Sequence, residues 1–214
     1  MDGIPGDGAQ ALPDGHEGGA PGLAASGVPE ATADGPPGVV LRAAGEDELA
    51  AVAALRWQWV LENGGTPVTT REEFLRHFAA WARENAASHR CVVMLRGAEV
   101  IGMAWLAVVR RVPSPRALER ASGDVQCVYV VPAERGAGLG GLLIDAVREL
   151  ARESGLERVT VHSSPRAVPA YVRHGFAVSP QLLQAAGGGG PAGSAGPAGS
   201  PGRPGTPVAG SSGS

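Results

Sequence analysis

Apolar positions in the middle of the chain recur with two different periods, and the period decides each element. In "VVLRAAGEDELAAVAALRWQWVLENGG" a short apolar run at Val39 to Arg42 predicts a strand. Leu49, Val52, Leu55 and Trp59 then recur at helical spacing up to Gly64 and Gly65, which predicts a helix with a glycine stop. Thr70 followed by Glu73 is a capping-box pattern, and Phe74, Phe78 and Trp81 make one face of a second helix. "CVVMLRGAEVIGMAWLAVV" is two apolar runs joined through Arg96, Gly97, Ala98 and Glu99, hence a β-hairpin. A polar, proline-containing connection leads to a strand over Val125 to Val131 that Pro132 stops. Alternation along this strand places Gln126 on one face with Val128 and Val130.

After four glycines, at 136, 138, 140 and 141, Leu139, Leu142, Leu143, Ala146, Val147 and Leu150 form the apolar stripe of a third helix, stopped near Gly155. A strand "ERVTVH", a short helix around "AVPAYVRH" and a last strand from Phe176 complete the pattern. Strand, two helices, an antiparallel meander and then strand-helix-strand predict an α+β layer fold.

Composition restricts this fold to the middle of the 214 residues. Twenty of the 33 glycines lie outside Gly38 to Ala186, and the first 37 residues carry six acids, no Arg and no aromatic residue. Residues 1–37 therefore read as a disordered acidic tail, residues 187–214 as a disordered tail rich in Gly, Pro, Ser and Ala, and residues 38–186 as one domain. The net charge of −3 comes from the first tail, and no basic run suggests nucleic acid. All 18 basic residues are Arg; the absence of Lys removes lysine Schiff-base chemistry and a Walker-type phosphate lysine. Cys91 and Cys127 form no C-x-x-C and read as buried free thiols in a reducing cytoplasm. The longest apolar run, near "VIGMAWLAVV", is about ten residues, too short to span a bilayer, and no signal-peptide order opens the sequence, so no membrane partner is expected.

The glycines preceding the third helix raise the question of chemistry, because glycine weakens a helix by about 1 kcal/mol relative to alanine. Three readings compete: a flexible turn, a dinucleotide fingerprint G-x-G-x-x-G at Gly136, Gly138 and Gly141, and an anion cradle in which bare backbone and a helix N-terminus face a pyrophosphate. Four residues, Pro132 to Arg135, separate strand from first glycine, and "VTVHSS" offers no acid for a ribose; both features disfavour the dinucleotide reading.

The pattern Arg135-x-x-Gly138-x-Gly140 resembles the coenzyme A pyrophosphate loop of the GCN5-related N-acetyltransferase (GNAT) superfamily, and "AVPAYVRHGF" resembles that superfamily's Tyr-x-x-x-Gly-Phe signature at Tyr171, Gly175 and Phe176. The likeness runs from about Val39 to Ser179. It implies a mixed, mostly antiparallel central sheet flanked by helices, and acyl-CoA-dependent N-acyl transfer from acetyl-CoA, as co-substrate, to a primary amine of a small molecule or peptide. No metal is required, and the protein would be a monomer or homodimer. The resemblance makes Tyr171 the general acid. It assigns the coenzyme to Tyr129, Val130 and Val131 on a splayed central strand, to Arg135, Gly136, Ala137, Gly138, Leu139, Gly140 and Gly141 in the loop, and to Ser164, where the superfamily often has Asn.

The alternative is a catalytically silent coenzyme A-binding or regulatory module of the same fold. Asp124, Glu72, Glu73, His77 and His174 are the candidate bases, none singled out by position. Gln126 cannot take a proton and could only orient a substrate or water. Trp57, Trp59, Trp81 and Trp105 read mainly as core. Cys127 lacks a His placed as partner for acyl-enzyme chemistry, and His162-Ser163-Ser164 lacks a nucleophile elbow.

Overall fold

The apolar runs between Val39 and Val161 pair into a single sheet whose three middle strands bury residues on both faces. The computed structural model describes residues 36–185; apart from Pro36 and Pro37, the tails expected over 1–37 and 187–214 lie outside the described residues. Strands β1 (Val39–Ala43), β2 (His89–Arg96), β3 (Glu99–Arg110), β4 (Ala121–Val130) and β5 (Val159–Val161) lie side by side in chain order. The first four are antiparallel to their neighbours, and β5 runs parallel to β4. Helices α1 (Leu49–Glu62) and α2 (Arg71–Glu84) cover one face, while α3 (Leu139–Glu153) covers the other; the short α4 (Val168–Arg173) rests on α3.

Each face has its own core. On the α3 side Leu139, Leu143, Val147 and Leu150 pack on Val92, Met94, Leu106 and Val125. On the other, Leu49, Val52 and Leu55 of α1 pack on Val93, Met103, Trp105 and Tyr129. Successive residues of β2 and β3 thus enter opposite cores, so these strands read as unbroken apolar runs. At α2 the Thr70 hydroxyl accepts from the Glu73 N–H, half of the expected capping box, but the Glu73 carboxylate accepts from the Thr69 hydroxyl instead of closing the other half.

Three expectations need correction. First, β4 begins at Ala121, because its early residues continue the ladder with β3 as far as Arg110 opposite Ala121. Second, no strand follows Phe176 among the described residues. The Phe176 N–H turns back to the Tyr171 carbonyl, and only three residues separate Phe176 from Pro180, which has no N–H for a ladder. Third, Gln126 does not share a face with Val128 and Val130. Trp105 pairs with Gln126 and Met103 with Tyr129, so Cys127 and Val128 together face Ala104 alone. This is a β-bulge, and Cys127 takes φ 54°, the only positive φ among the described non-glycine residues. The extra residue turns Gln126 toward α2 and leaves Val128 and Val130 on the α3 side.

Leu143 has no exposed surface and packs between α3 and the sheet. Leu143→Ala is expected to lower stability by about 2–5 kcal/mol in denaturant unfolding; a loss under about 1 kcal/mol would show that the α3 interface closes over the missing side chain.

Candidate active site

The partnership of β4 with β5 is brief, and the site grows from its end. The two strands pair only from Gly123 to Val125 opposite Val159 to Val161, whereas β4 continues to Val130. From Gln126 onward its β5-side edge has no strand beside it among the described residues. The Val131 N–H donates to the Ile101 carbonyl of β3 at 2.9 Å, so alternation turns the backbone groups of Val130 and Val128 toward the open edge and those of Tyr129 toward β3. Along that edge lies a cleft of about 370 Å³, which continues past Gly136, Gly138 and Gly140 to Tyr171.

Pro132 ends β4, a short 3₁₀ turn over Pro132–Glu134 carries the chain round, and Gly138 caps α3 at φ 77°. That left-handed value is where a side chain is strained, so glycine fits the turn by conformation as well as by size. A Cβ at Gly136, Gly138 or Gly140 would point into open space, whereas one at Gly141 would collide with the His174 imidazole. The first three glycines therefore keep a hollow bare, and the fourth admits α4 against α3. The first N–H groups of α3, with the positive end of its dipole, face this hollow.

Arg135 is held from two sides. Its Nε donates to the Val130 carbonyl at 2.8 Å and its terminal nitrogen to Glu62 at 2.7 Å, while the Tyr129 hydroxyl donates to the other Glu62 oxygen at 2.6 Å. The guanidinium also lies 5.2 Å from the Tyr129 ring centroid. The Tyr129 hydrogen bond first, and Arg135 second, hold the Glu62 carboxyl below the usual carboxylate range; burial, reinforced by Glu62, pushes the Tyr129 phenol up. Glu62 thus ties the last turn of α1 to the glycine turn. Sequence reading missed it because its partners stand 67 and 73 residues away. One local signal was present: an acid at a helix C-terminus opposes the macrodipole, and the last turn of α1 has no basic residue.

On the far wall, α4 presents Tyr171. Gly175, at φ 83°, lets its own N–H return to the Val172 carbonyl and the Phe176 N–H return to the Tyr171 carbonyl, a Schellman ending. The Phe176 ring then meets the Tyr171 ring edge-on at 5.3 Å. The Tyr-x-x-x-Gly-Phe spacing is the chemical form of this cap. The Tyr171 hydroxyl has no hydrogen-bond partner among the described residues; burial first, then the nearby Cys127, push its pKa up, keeping it a proton donor. His174 anchors the helix through Asp145 at 2.8 Å. Burial also pushes the Cys127 thiol up, which does not suit a nucleophile.

The cleft brings together Tyr129, Val130, Arg135, Gly136, Gly138, Leu139, Gly140, Gly141 and Tyr171, with Val128, Ile144, Ala167 and Ala170 besides. Val131, Ala137 and Ser164 are not among its lining residues. Ser164 is exposed and its carbonyl accepts from the Ala167 and Val168 N–H groups at the entry to α4. Of the candidate bases, Asp124 accepts from Gln126 at 2.9 Å, Glu73 bonds Thr69, His174 bonds Asp145, and Glu72 is exposed. His77 lines a second cavity on the opposite face of β4. No cluster of three or more His, Cys, Asp or Glu suited to a metal ion occurs among the described residues, and no helix there is long and apolar enough to cross a membrane.

The profile of the acetyltransferase (GNAT) family matches residues 53–176. Over 57 residues, 27% of this chain and 39% of the other, the sequence is 42% identical to a glucosamine 6-phosphate N-acetyltransferase of Trypanosoma brucei brucei. The match thus spans about two fifths of that relative's length. Among solved structures, a predicted acetyltransferase with acetyl-CoA from Clostridium acetobutylicum superposes with TM-score 0.57 at 19% identity, covering 69% of this chain and 96% of that one. An acetyltransferase of Trypanosoma brucei gives 0.55 at 25% identity, covering 69% and 99%.

The Glu62 tie predicts a pH signature. A lowered folded pKa adds stability above the unfolded value of about 4.3, and that stability is lost as pH falls through the folded value. Glu62→Gln should therefore melt below the wild type at neutral pH, with the gap narrowing as the solution is acidified through the carboxylate range. A gap that stays constant with pH would refute the ion pair as its source.

Proposed function

This chain belongs to the acetyltransferase (GNAT) family, and on that premise we propose that it transfers the acetyl group of acetyl-CoA to a primary amine by direct attack. The observation that carries this reading is the single cleft joining the bare glycine turn, the open edge of β4 and the unpartnered hydroxyl of Tyr171. The space left by Gly136, Gly138 and Gly140 fits a pyrophosphate against backbone N–H groups and the α3 N-terminus. The outward-facing backbone groups of Val128 and Val130 suit a pantetheine arm, whose amides need partners that a closed sheet would have consumed. Arg135, occupied by Val130 and Glu62, positions the turn. Bound in this cleft, acetyl-CoA supplies an activated acyl group.

The residues account for the proton traffic. The amine nitrogen forms its bond to the carbonyl carbon, the carbon–sulfur bond breaks with its electron pair on sulfur, and Tyr171 protonates the sulfur. The proton shed by the nitrogen restores the phenol, so an amine that enters neutral needs no separate base. Backbone N–H groups on the open edge of β4 serve the developing oxyanion.

Thiol release from acetyl-CoA across a panel of amines, glucosamine 6-phosphate included, tests the activity. Turnover is expected with at least one amine; tight coenzyme A binding without any turnover would favour the silent module. With an accepted amine, Tyr171→Phe keeps the ring on Phe176 and should lower kcat by about 10² to 10⁴, leaving coenzyme affinity and melting temperature nearly unchanged. A loss under about fivefold, with chemistry limiting turnover, would make Tyr171 a packing residue. For the glycine turn, Gly138→Glu and Gly138→Ala share the left-handed strain, but only Glu adds a negative charge. Calorimetry should therefore show the Glu variant binding coenzyme A more weakly than the Ala variant, and equal affinities would remove the pyrophosphate from this turn.

A further inference from the structure

The second cavity, about 310 Å³, lies where β4 faces α1 and α2. Its walls are aromatic: Phe74, Phe78 and Trp81 of α2 and Trp105 of β3, with ring centroids 5.6 to 5.9 Å apart. These rings stand tilted or edge-on, offering both faces and edges to a further flat ring. Trp105 is 5% exposed, and its indole N–H is the only buried side-chain polar atom among the described residues without a hydrogen-bond partner. Such a group costs stability unless something accepts from it.

Arg56 carries the one permanent charge among the lining residues. Arg56 and His77 are its only ionisable residues besides Cys127, and no carboxylate lines it. Arg56 makes no ion pair among the described residues; its guanidinium lies 4.2 Å from the Trp59 ring centroid, and its charge is felt at the Cys127 thiol together with that of Asp124, which accepts from the lining residue Gln126. Cys127 in turn is felt by Tyr171 across the bulge. Cys127 lines this cavity, while Val128 beside it in the bulge lines the cleft that holds Tyr171, so the two hollows open on either side of the bulge.

We propose that this cavity receives the acceptor and selects a primary amine bearing a flat aromatic body and a carboxylate next to the nitrogen, the chemistry of an aromatic α-amino acid. The ring enters the cage, the carboxylate pairs with Arg56, and the nitrogen lies toward Cys127 and Tyr171. This inference rests on the acetyl transfer proposed above. A polyamine brings further positive charge beside an unpaired guanidinium, with no carboxylate among the lining residues. A phosphosugar sets most of its hydroxyls against aromatic walls, with only Arg56, His77, Gln126 and the Trp105 N–H to bond them.

The test uses the full chain with four probes: L-phenylalanine, phenethylamine, spermidine and glucosamine 6-phosphate. Acetylation of phenylalanine is expected with kcat/KM about tenfold to a hundredfold above phenethylamine, the scale of a hydrogen-bonded charge, and further above the other two. Arg56→Gln, checked for unchanged melting temperature, should bring phenylalanine and phenethylamine within about threefold. Phenylalanine binding is also measured by calorimetry with and without coenzyme A, which reads the cavity independently of turnover. Preference for spermidine or glucosamine 6-phosphate, or no binding of phenylalanine, overturns the proposal while the acetyl transfer can still stand. Phenylalanine binding without any acetyl transfer upholds the cavity and fails the proposed activity.

Discussion

One extra residue in β4 governs the geometry around the cleft. At Cys127 two residues oppose one on β3, and the backbone enters the left-handed region to fit them. A non-glycine residue held there costs on the order of 1–3 kcal/mol, which the packed strands on either side must offset. Past this point β4 keeps its ladder with β3 but has no parallel neighbour among the described residues, since β5 pairs only as far as Val125. The bulge also reverses which residues face which core. Tyr129 therefore points toward α1 and meets Glu62, while Val130 points toward α3.

From that strand the two ends of the cleft are tied by different means. At one end an ion pair and two hydrogen bonds join Glu62, Arg135, Tyr129 and Val130. At the other, a six-residue helix far too short to be stable alone is held by its C-terminal cap, by His174 on Asp145 and by contact with Gly141. Tyr171 owes its position to that anchoring, because the residues fixing α4 all lie within five positions of it or on α3. Side-chain chemistry at one end and backbone conformation at the other hold a single slot open.

What the sequence made legible was local. Leu49 to Trp59 and Leu139 to Leu150 announce helices by spacing alone, Gly97 marks the hairpin, and the glycines before α3 together with Tyr171, Gly175 and Phe176 are short strings whose geometry is encoded within a few residues. The failures were non-local. A strand read by alternation has no means of inserting the bulge at Cys127, so Gln126 was placed on the wrong face; its neighbours on β3 decide that register. Glu62 pairs with residues more than sixty positions away. The strand expected after Phe176 had apolar residues enough, but its first N–H, that of Phe176, turns into the cap of α4 instead of a ladder. Phe74, Phe78, Trp81 and Trp105 read as core, and they do pack on one another; that they also leave a cavity depends on how far α2 stands from β4.

An open strand edge usually invites a second chain to add to the sheet. Here the invitation is short. Beyond Val125 the unpaired stretch among the described residues is Gln126 to Val130, the bulge at Cys127 twists it, the Val130 carbonyl is covered by Arg135, and Pro132 beyond it has no N–H to donate. A slender, flexible molecule with one or two amides finds partners along such an edge, but a β-strand finds too few to stay in register. This open edge is thus too brief and too twisted to seed edge-to-edge polymerisation of the sheet.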